Sequence, residues 1–357
     1  MMFPGGKDAK TKLRTLFSVF CALVFLLCGT PVSSAVDQDI SDMYPSATTS
    51  QGPEYIQQVV LEEQGTVLDR FSFDGFVDIQ QGYDNNVELD PQRLEDGFLQ
   101  LSANGEISYE FSEAFYGRAG VDTFNIIYYK YNVNNLADVA PYLGFDWALT
   151  PDVVWKNRVV YDYFSYPNQK ESSYNGLVLT SYLRHYLLRD FYHEFGAEYL
   201  KRWYPDRKIS LTTGARDRLD RADDKYRIKY TLGLYGKRFF ARLSNEISVN
   251  DSNDAYQDYY DYRLYRVRPS IMYFFTDKFY TDLSFIYRHT WYKDRRNTED
   301  VSEKVRDNTY ITTASLYYDL TSSLTLGLTY SYVENTSNDP FQKYSGSTLT
   351  GGVFYSF

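Results

Sequence analysis

The groups in this sequence with the clearest chemical potential are ionic side chains that recur at alternate positions between apolar ones. Asp74 and Asp78 alternate with apolar residues in the stretch 71–79, and Arg227 and Lys229 do so in 226–234. A spacing of two residues puts such groups on one face of a β-strand. Carboxylates and guanidinium groups arranged in this way can line a polar interior, attract a charged solute or pair with one another.

Catalysis has little support in the sequence. Nucleophilic catalysis by serine needs a base within reach. The three histidines, His185, His193 and His289, fall in the strand register on the apolar face, away from the ionic groups. Both cysteines, Cys21 and Cys28, lie near the amino terminus, and no clustered histidines resemble a metal site. We therefore expect no enzyme activity, no metal and no cofactor.

Long alternation defines the elements that carry these groups. It is clearest in residues 71–80, 99–111, 226–234 and 324–332. Strands of a soluble β-sandwich, the main alternative, average about five or six residues. Runs of about ten residues match the length that a tilted strand needs to cross a bilayer. The pattern therefore favours a transmembrane barrel.

A repeated short turn gives the number of strands. Each copy has polar turn residues followed by an aromatic or apolar residue that opens a new strand. The six copies are 112–115, 150–153, 189–191, 237–239, 276–279 and 321–324. Between consecutive copies lie two strands and one longer polar loop, the asymmetry of bacterial outer-membrane barrels. The sequence thus predicts an all-β fold, a single transmembrane antiparallel up-and-down β-barrel of about 14 strands.

The longer loops and the aromatic residues follow the same plan. Polar loops are predicted at 84–95, 132–138, 165–173, 205–225, 250–258, 294–308 and 334–343. The chain has 37 Tyr and 24 Phe, which suit the two interfaces of a membrane barrel. One aromatic belt is predicted beside the short turns, at Phe115, Phe191, Phe239, Phe275 and Phe279. The other is predicted beside the long loops, at Trp203, Tyr204, Tyr256, Tyr259, Tyr260, Trp291 and Tyr292.

The amino-terminal residues read as an export signal. Residues 1–35 have a basic start, an apolar stretch too short to span a bilayer, and small residues at Ser33 and Ala35. An acylated Cys28 is the alternative interpretation. Residues 36–66 are predicted to be a periplasmic segment, disordered or with a short helix, and residues 67–357 the outer-membrane barrel. The net charge of −10 and the lack of a basic stripe do not favour nucleic acid as a partner.

The predicted lumen face separates acids from bases along the chain. Its acids come from the first four strands: Asp74, Asp78, Glu106, Glu110, Asp122 and Asp146. Its bases come from the fifth strand onward: Lys156, Arg158, Arg184, Arg202, Arg227, Lys229, Arg242, Arg266, Arg268 and Arg288. Glu194, Glu198, Glu246 and Asp282 interrupt the basic side. One interpretation is a field across a water-filled channel. The other is a set of interstrand ion pairs in a nearly filled interior.

Two short motifs connect the chain to known barrels. The segment Gly-Tyr-Asp-Asn-Asn-Val at 82–87 resembles a stretch near the start of outer-membrane β-barrel porin families, some of them encoded with exopolysaccharide export systems. The last strand ends with Tyr355 and Phe357, which resembles the terminal signal read by the barrel-assembly machinery. The resemblance implies a porin-like or polysaccharide-associated barrel in the bacterial outer membrane. The fourteen-strand circumference and the polar, charged lumen face predict that this barrel is a channel for the passive passage of small polar or charged solutes. An export-associated barrel and a structural or surface-binding barrel with a blocked lumen are the alternatives.

The predicted partners follow from this location. Outer-membrane lipid and lipopolysaccharide would surround the barrel, and the barrel-assembly machinery would act on it during insertion. Residues 36–66 could contact a periplasmic partner.

Overall fold

The computed structural model of the chain describes residues 70–256 and 259–357. The predicted signal at 1–35 and the predicted periplasmic segment at 36–66 lie outside the described residues. The strands form a closed barrel in which each pairs with its chain neighbours and β1 pairs with β14. Every pairing is antiparallel. The predicted fourteen-stranded up-and-down barrel is therefore confirmed.

The fourteen strands range from 13 to 20 residues in length. They are β1 Phe71–Asp84, β2 Asp96–Ser112, β3 Phe115–Tyr128, β4 Leu136–Thr150, β5 Val153–Ser165, β6 Tyr174–Leu188, β7 Phe191–Ser210, β8 Arg216–Tyr235, β9 Phe239–Ser252, β10 Tyr262–Phe274, β11 Phe279–Arg296, β12 Lys304–Asp319, β13 Leu324–Ser337 and β14 Tyr344–Ser356. Short 3-10 turns lie at Asn132–Asn134, Lys170–Ser172 and Pro340–Gln342. Among the described residues, no helix is long and apolar enough to cross a membrane.

All six predicted short turns are confirmed, each joining two strands at the same end of the barrel. Two of them share a local hydrogen-bond pattern. The hydroxyl of Thr276 accepts a bond from the backbone N–H of Phe279 at 3.0 Å, and Thr321 accepts one from Leu324 at 3.0 Å. A threonine that binds the backbone three residues later favours a turn over a continued strand.

The two faces of the wall differ as the alternation predicts. Large apolar side chains such as Leu143 and Phe195 are 66% and 56% exposed, on the outer face. The alternate positions carry polar groups such as Asp78 and Thr231, which are 3% and 2% exposed. An apolar outer surface of this kind is stable only against lipid, because it would otherwise lie in water.

The predicted loop at 205–225 is wrong. β7 runs to Ser210 and β8 starts at Arg216, so the connection is only 211–215, with Gly214 at a φ of 80°. At the end of the barrel opposite the short turns, the two strands continue as a polar hairpin in which Lys208 pairs with Asp220. Outside a bilayer a strand can be polar on both faces, so polarity alone does not mark a loop.

The other long loops are also shorter than predicted in several places. β4 begins at Leu136, which puts Asp138 inside a strand, and β11 continues to Arg296. β13 continues to Ser337. The predicted connections at 84–95 and 165–173 agree with the structure to within a residue at each end.

The carboxyl terminus closes the barrel. The backbone N–H of Gly75 donates to the carbonyl of Phe357 at 3.0 Å, and the N–H of Phe357 donates back to Gly75 at 3.0 Å. The Phe357 ring lies 5.7 Å from Phe73 and 5.9 Å from Tyr355. The last residue is thus part of the seam between the first and last strands. Recognition of Tyr355 and Phe357 by the assembly machinery stays a prediction.

Candidate channel interior

All sixteen charged residues that the sequence assigns to the lumen lie at strand positions that alternate with exposed apolar residues. Their positions therefore face the inside of the barrel. Their function in solute passage stays a prediction. They form three groups: an acidic wall, a paired region and a basic wall.

The acidic wall lies on β1 and β2. Asp74, Asp78, Glu106 and Glu110 are its members, and in the described parts of the chain none of the four has a basic side chain within salt-bridge distance. Uncharged side chains donate hydrogen bonds to two of them. Asp78 accepts a bond from Gln80 at 2.7 Å, and Glu106 accepts one from the Tyr142 hydroxyl at 2.6 Å.

The paired region begins on β3 to β5, where the predicted separation of charges is incomplete. Arg118 on β3 is an inward base that sequence reasoning missed, and it pairs with Asp146. Lys156 lies 3.8 Å from the other oxygen of Asp146. Asp122 and Arg158 form a further pair at 2.5 Å. A base can reach a carboxylate one or two strands away along the wall. Grouping the charges by strand number therefore overstated the separation of acids from bases.

Ion pairs continue on β6 to β10. Arg184 pairs with Glu194 at 2.8 Å. Arg227 joins Glu198 at 2.9 Å and Glu246 at 2.8 Å, and Arg266 reaches the second oxygen of Glu246. These pairs run along the wall between neighbouring strands, which fixes the positions of the side chains.

The basic wall is an excess of cations on β8 to β11. Between residues 221 and 290, eight inner-face bases lie on these strands: Arg221, Lys225, Arg227, Lys229, Arg242, Arg266, Arg268 and Arg288. Three inner-face acids accompany them over the same range: Asp223, Glu246 and Asp282. Lys229 has no carboxylate within salt-bridge distance among the described residues, and its amine lies 5.5 Å from the centre of the Tyr182 ring.

The acidic and basic walls oppose each other across the barrel. In a closed ring of fourteen strands, a strand faces the one seven places away, so β1 faces β8 and β2 faces β9. Fourteen strands at about 4.8 Å spacing and about 40° tilt put roughly 28 Å between opposite backbones. The substantial strand–strand contacts are all between neighbours in the ring. The two walls are therefore too far apart for direct ion pairs.

Tyrosine rings hold several of the lumen cations in place. The guanidinium carbon of Arg158 lies 3.6 Å from the centre of the Tyr142 ring, and that of Arg184 lies 4.4 Å from Tyr192. Arg202 lies 4.7 Å from the centre of the Tyr174 ring. Stacking of this kind restrains a cation while leaving its N–H groups available for other acceptors.

One end of the lumen contains an apolar cluster that sequence reasoning missed. Its inward members lie on β2 to β7 at the long-loop end, and loop residue Val87 packs with them. The strand members are Phe98, Phe124, Ile126, Tyr128, Leu136, Phe164, Tyr174 and Tyr204. The signal was present in the sequence, because residues 126–129 are apolar or aromatic at consecutive positions and so break the alternation.

This cluster also corrects the predicted outer belt. Tyr204 is 3% exposed and points inward, and Tyr292 lies at an inward position beside Tyr262. Trp291 is 42% exposed on the outer face, as a belt residue should be. The long-loop end therefore has aromatic residues on both faces of the wall.

The histidines lie away from the ionic groups of the lumen. His185 and His193 are directly opposed on β6 and β7, with Nδ1 and Nε2 at 3.0 Å. The His289 ring lies 4.0 Å from Trp291 on the outer face. In the described ranges, no three His, Asp or Glu side chains are grouped so that they could hold a metal ion.

Comparison with known proteins gives a likeness of fold. No protein-family model matches the chain, and no curated protein matches it. Among solved structures, OmpT of Vibrio cholerae, an outer membrane protein, is 9% identical with a TM-score of 0.47, over 83% of this chain and 99% of that one. An anion-selective porin from Comamonas acidovorans is 8% identical with a TM-score of 0.46, over 80% of this chain and 99% of that one.

A third similar structure is OprB of Pseudomonas putida, which is 7% identical with a TM-score of 0.46, over 82% of this chain and 95% of that one. The predicted resemblance to outer-membrane β-barrels is confirmed at the level of the fold. At identities of 7–9%, this likeness concerns the fold alone.

Proposed function

We propose that this chain is a porin-like channel of the bacterial outer membrane for the passive passage of small polar or charged solutes. The observation that carries the proposal is the opposition of two unlike walls. Carboxylates on β1 and β2 that have no basic partner among the described residues face an excess of cations on β8 and β9. Location in the outer membrane, insertion by the assembly machinery and a periplasmic partner for residues 36–66 belong to the same proposal.

Water between the walls explains this arrangement best. A carboxylate buried without a cation is strongly destabilised unless solvent or hydrogen bonds stabilise its charge. Glu106 and Glu110 keep part of their surface exposed on the inner face, and no base in the described residues lies within salt-bridge distance of them. A dry, packed interior would leave these charges without compensation. A hydrated lumen solvates them, and the opposed charges create a field across the path of a solute.

Conductance of the full-length protein in a planar bilayer tests this proposal. Lys229→Gln removes a positive charge from the basic wall, and Glu106→Gln removes a negative charge from the acidic wall. Both variants introduce a glutamine. We expect the first to shift the reversal potential in a salt gradient toward cation selectivity and the second toward anion selectivity. Lys201→Gln, which removes an outward charge paired with Asp224, is the control and should leave selectivity unchanged.

Absence of conductance, or reversal potentials that shift in the same direction for the two lumen variants, would contradict the channel proposal.

The apolar cluster at the long-loop end favours a second candidate, a surface-binding barrel whose lumen is blocked there. Conductance that appears only after deletion of residues 36–66 would point instead to a plugged or partner-gated barrel. No conductance in either form would support the blocked lumen.

A further inference from the structure

Two arginines flank a tryptophan on the outer face of the barrel. Arg263 on β10 is directly opposite Trp291 on β11, and Trp291 is directly opposite Arg306 on β12. All three side chains are exposed. Directly opposed residues on antiparallel strands have Cα atoms about 5 Å apart, so the two arginines are roughly 10 Å apart at the backbone. Both guanidinium groups can therefore reach the space in front of the indole.

Within residues 70–256 and 259–357, no carboxylate lies within salt-bridge distance of Arg263 or Arg306. Nearby cations at the same end differ in this respect. Lys293 lies 3.0 Å from Asp261, and Lys304 lies 3.1 Å from Asp294. Arg263 and Arg306 thus lack a carboxylate partner among the described residues, whereas Lys293 and Lys304 have one.

The position of the row along the strands indicates what surrounds it. The next outward row, about 7 Å further along the strands toward the short turns, is Tyr265, His289 and Asn308, with His289 Nδ1 at 2.6 Å from Asn308 Oδ1. Beyond it the outward side chains include Leu283 and Ile271, both exposed and apolar. Along the strands toward the long loops, the outward side chains therefore change from apolar residues to a polar and aromatic row, and then to the row with the two arginines. This order is that of a membrane interface at the level of lipid headgroups.

From these relations we infer that Arg263 and Arg306 bind the phosphate groups of a phosphorylated lipid in the leaflet at the long-loop end. Guanidinium groups bind phosphate oxygens in a bidentate manner. Trp291 provides an apolar and aromatic surface between them for the lipid backbone. The separation of the two arginines suits a lipid with two phosphates better than a lipid with one. This inference concerns the outer surface: it rests on the proposed location in the outer membrane but not on an open channel.

Binding of lipid to the purified full-length protein in an uncharged detergent tests the inference. The probe is bisphosphorylated lipid A, with the monophosphorylated form for comparison, and bound lipid is counted by native mass spectrometry. We expect the double variant Arg263→Gln/Arg306→Gln to bind the bisphosphorylated lipid at least tenfold more weakly, a change of about 1.4 kcal/mol. Added salt should weaken binding to the unaltered protein, because exposed charges are screened.

Lys201→Gln is the matched control, since Lys201 lies on the outer face near the same end but pairs with Asp224 at 3.2 Å. It should bind lipid as the unaltered protein does, and Arg263→Lys/Arg306→Lys should retain part of the affinity. Each variant should keep the heat-dependent gel mobility of a folded barrel. Equal binding by the Gln double variant, or equal binding of both lipid forms by the unaltered protein, would overturn the inference. A change in oligomeric state without a change in lipid binding would also overturn it, in favour of contact with a second copy.

Discussion

Asp122 and Arg158 form an ion pair that passes over β4 and joins β3 to β5 inside the barrel. The Asp122 oxygen Oδ2 accepts a hydrogen bond from the Arg158 guanidinium at 2.5 Å, while Oδ1 accepts one from the Asn104 side-chain amide at 2.6 Å. Arg158 also stacks on the Tyr142 ring, which lies on the intervening strand. The Asp122 carboxylate thus joins β2, β3 and β5, and the stacking of Arg158 on Tyr142 adds β4.

Removal of either partner should destabilise the barrel. We expect Asp122→Ala to lower the free energy of unfolding by about 2 kcal/mol, because the buried carboxylate accepts two hydrogen bonds, one of them charged. Arg158→Gln should cost less, since its side chain is 28% exposed and partly solvated. Urea unfolding in lipid vesicles measures both. Strict additivity in the double variant would mean that the two side chains do not interact.

The fold was predictable from the sequence because a membrane barrel repeats one simple rule. Each strand must be apolar at alternate positions for about ten residues, and each short turn must break the strand. The six turns and the alternation sufficed to count fourteen strands. Ion pairs such as Asp122–Arg158 were not predictable, because they depend on the stagger between strands and on side chains that reach past a neighbour.

Glycines under tyrosine rings provide a second prediction. A Cβ atom on Gly196 would lie 1.9 Å from the Tyr182 ring, whereas one on Gly351 would meet nothing closer than 3.7 Å. Gly196→Ala must therefore displace a ring that packs against the wall, and we expect a loss of about 1–3 kcal/mol of stability. Gly351→Ala is the control and should be nearly neutral. The same vesicle unfolding assay applies, and similar values for the two variants would show that the ring moves freely.

The apolar cluster inside the long-loop end shows where reasoning from alternation fails. Phe98, Phe124 and Phe164 occupy inward positions that the pattern reserves for polar groups. These rings are buried in one cluster with the loop residue Val87 rather than exposed to lipid or water, so their burial depends on how the loops fold. A single sequence contains the unusual composition but not the loop conformation that explains it.

Lipid exposure of the outer face gives a third prediction. Leu328 is 49% exposed and outward, whereas its neighbour Thr329 is inward and donates a bond to Ser315 at 2.9 Å. Leu328→Arg should cost about 2–4 kcal/mol, since a charge on the lipid face is poorly solvated. Thr329→Arg should cost less, because its charge enters the polar interior. Equal costs at 328 and 329 would contradict the assigned faces.

The orientation of the barrel in the membrane gives the last prediction. The six short turns lie at one end, with the longer connections and the protruding hairpin of β7 and β8 at the other. In bacterial barrels the short turns face the periplasm. An epitope inserted at 212–213, in the tip of that hairpin, should bind antibody on intact cells, because the tip lies beyond both strand ends. The same epitope at Asp190, in a short turn, should bind antibody only after the outer membrane is permeabilised. Both insertion points lie in turns outside the strands, so both variants should fold. The reverse labelling pattern would mean that the barrel is oriented the other way, and the arginine pair Arg263 and Arg306 would then face the inner leaflet.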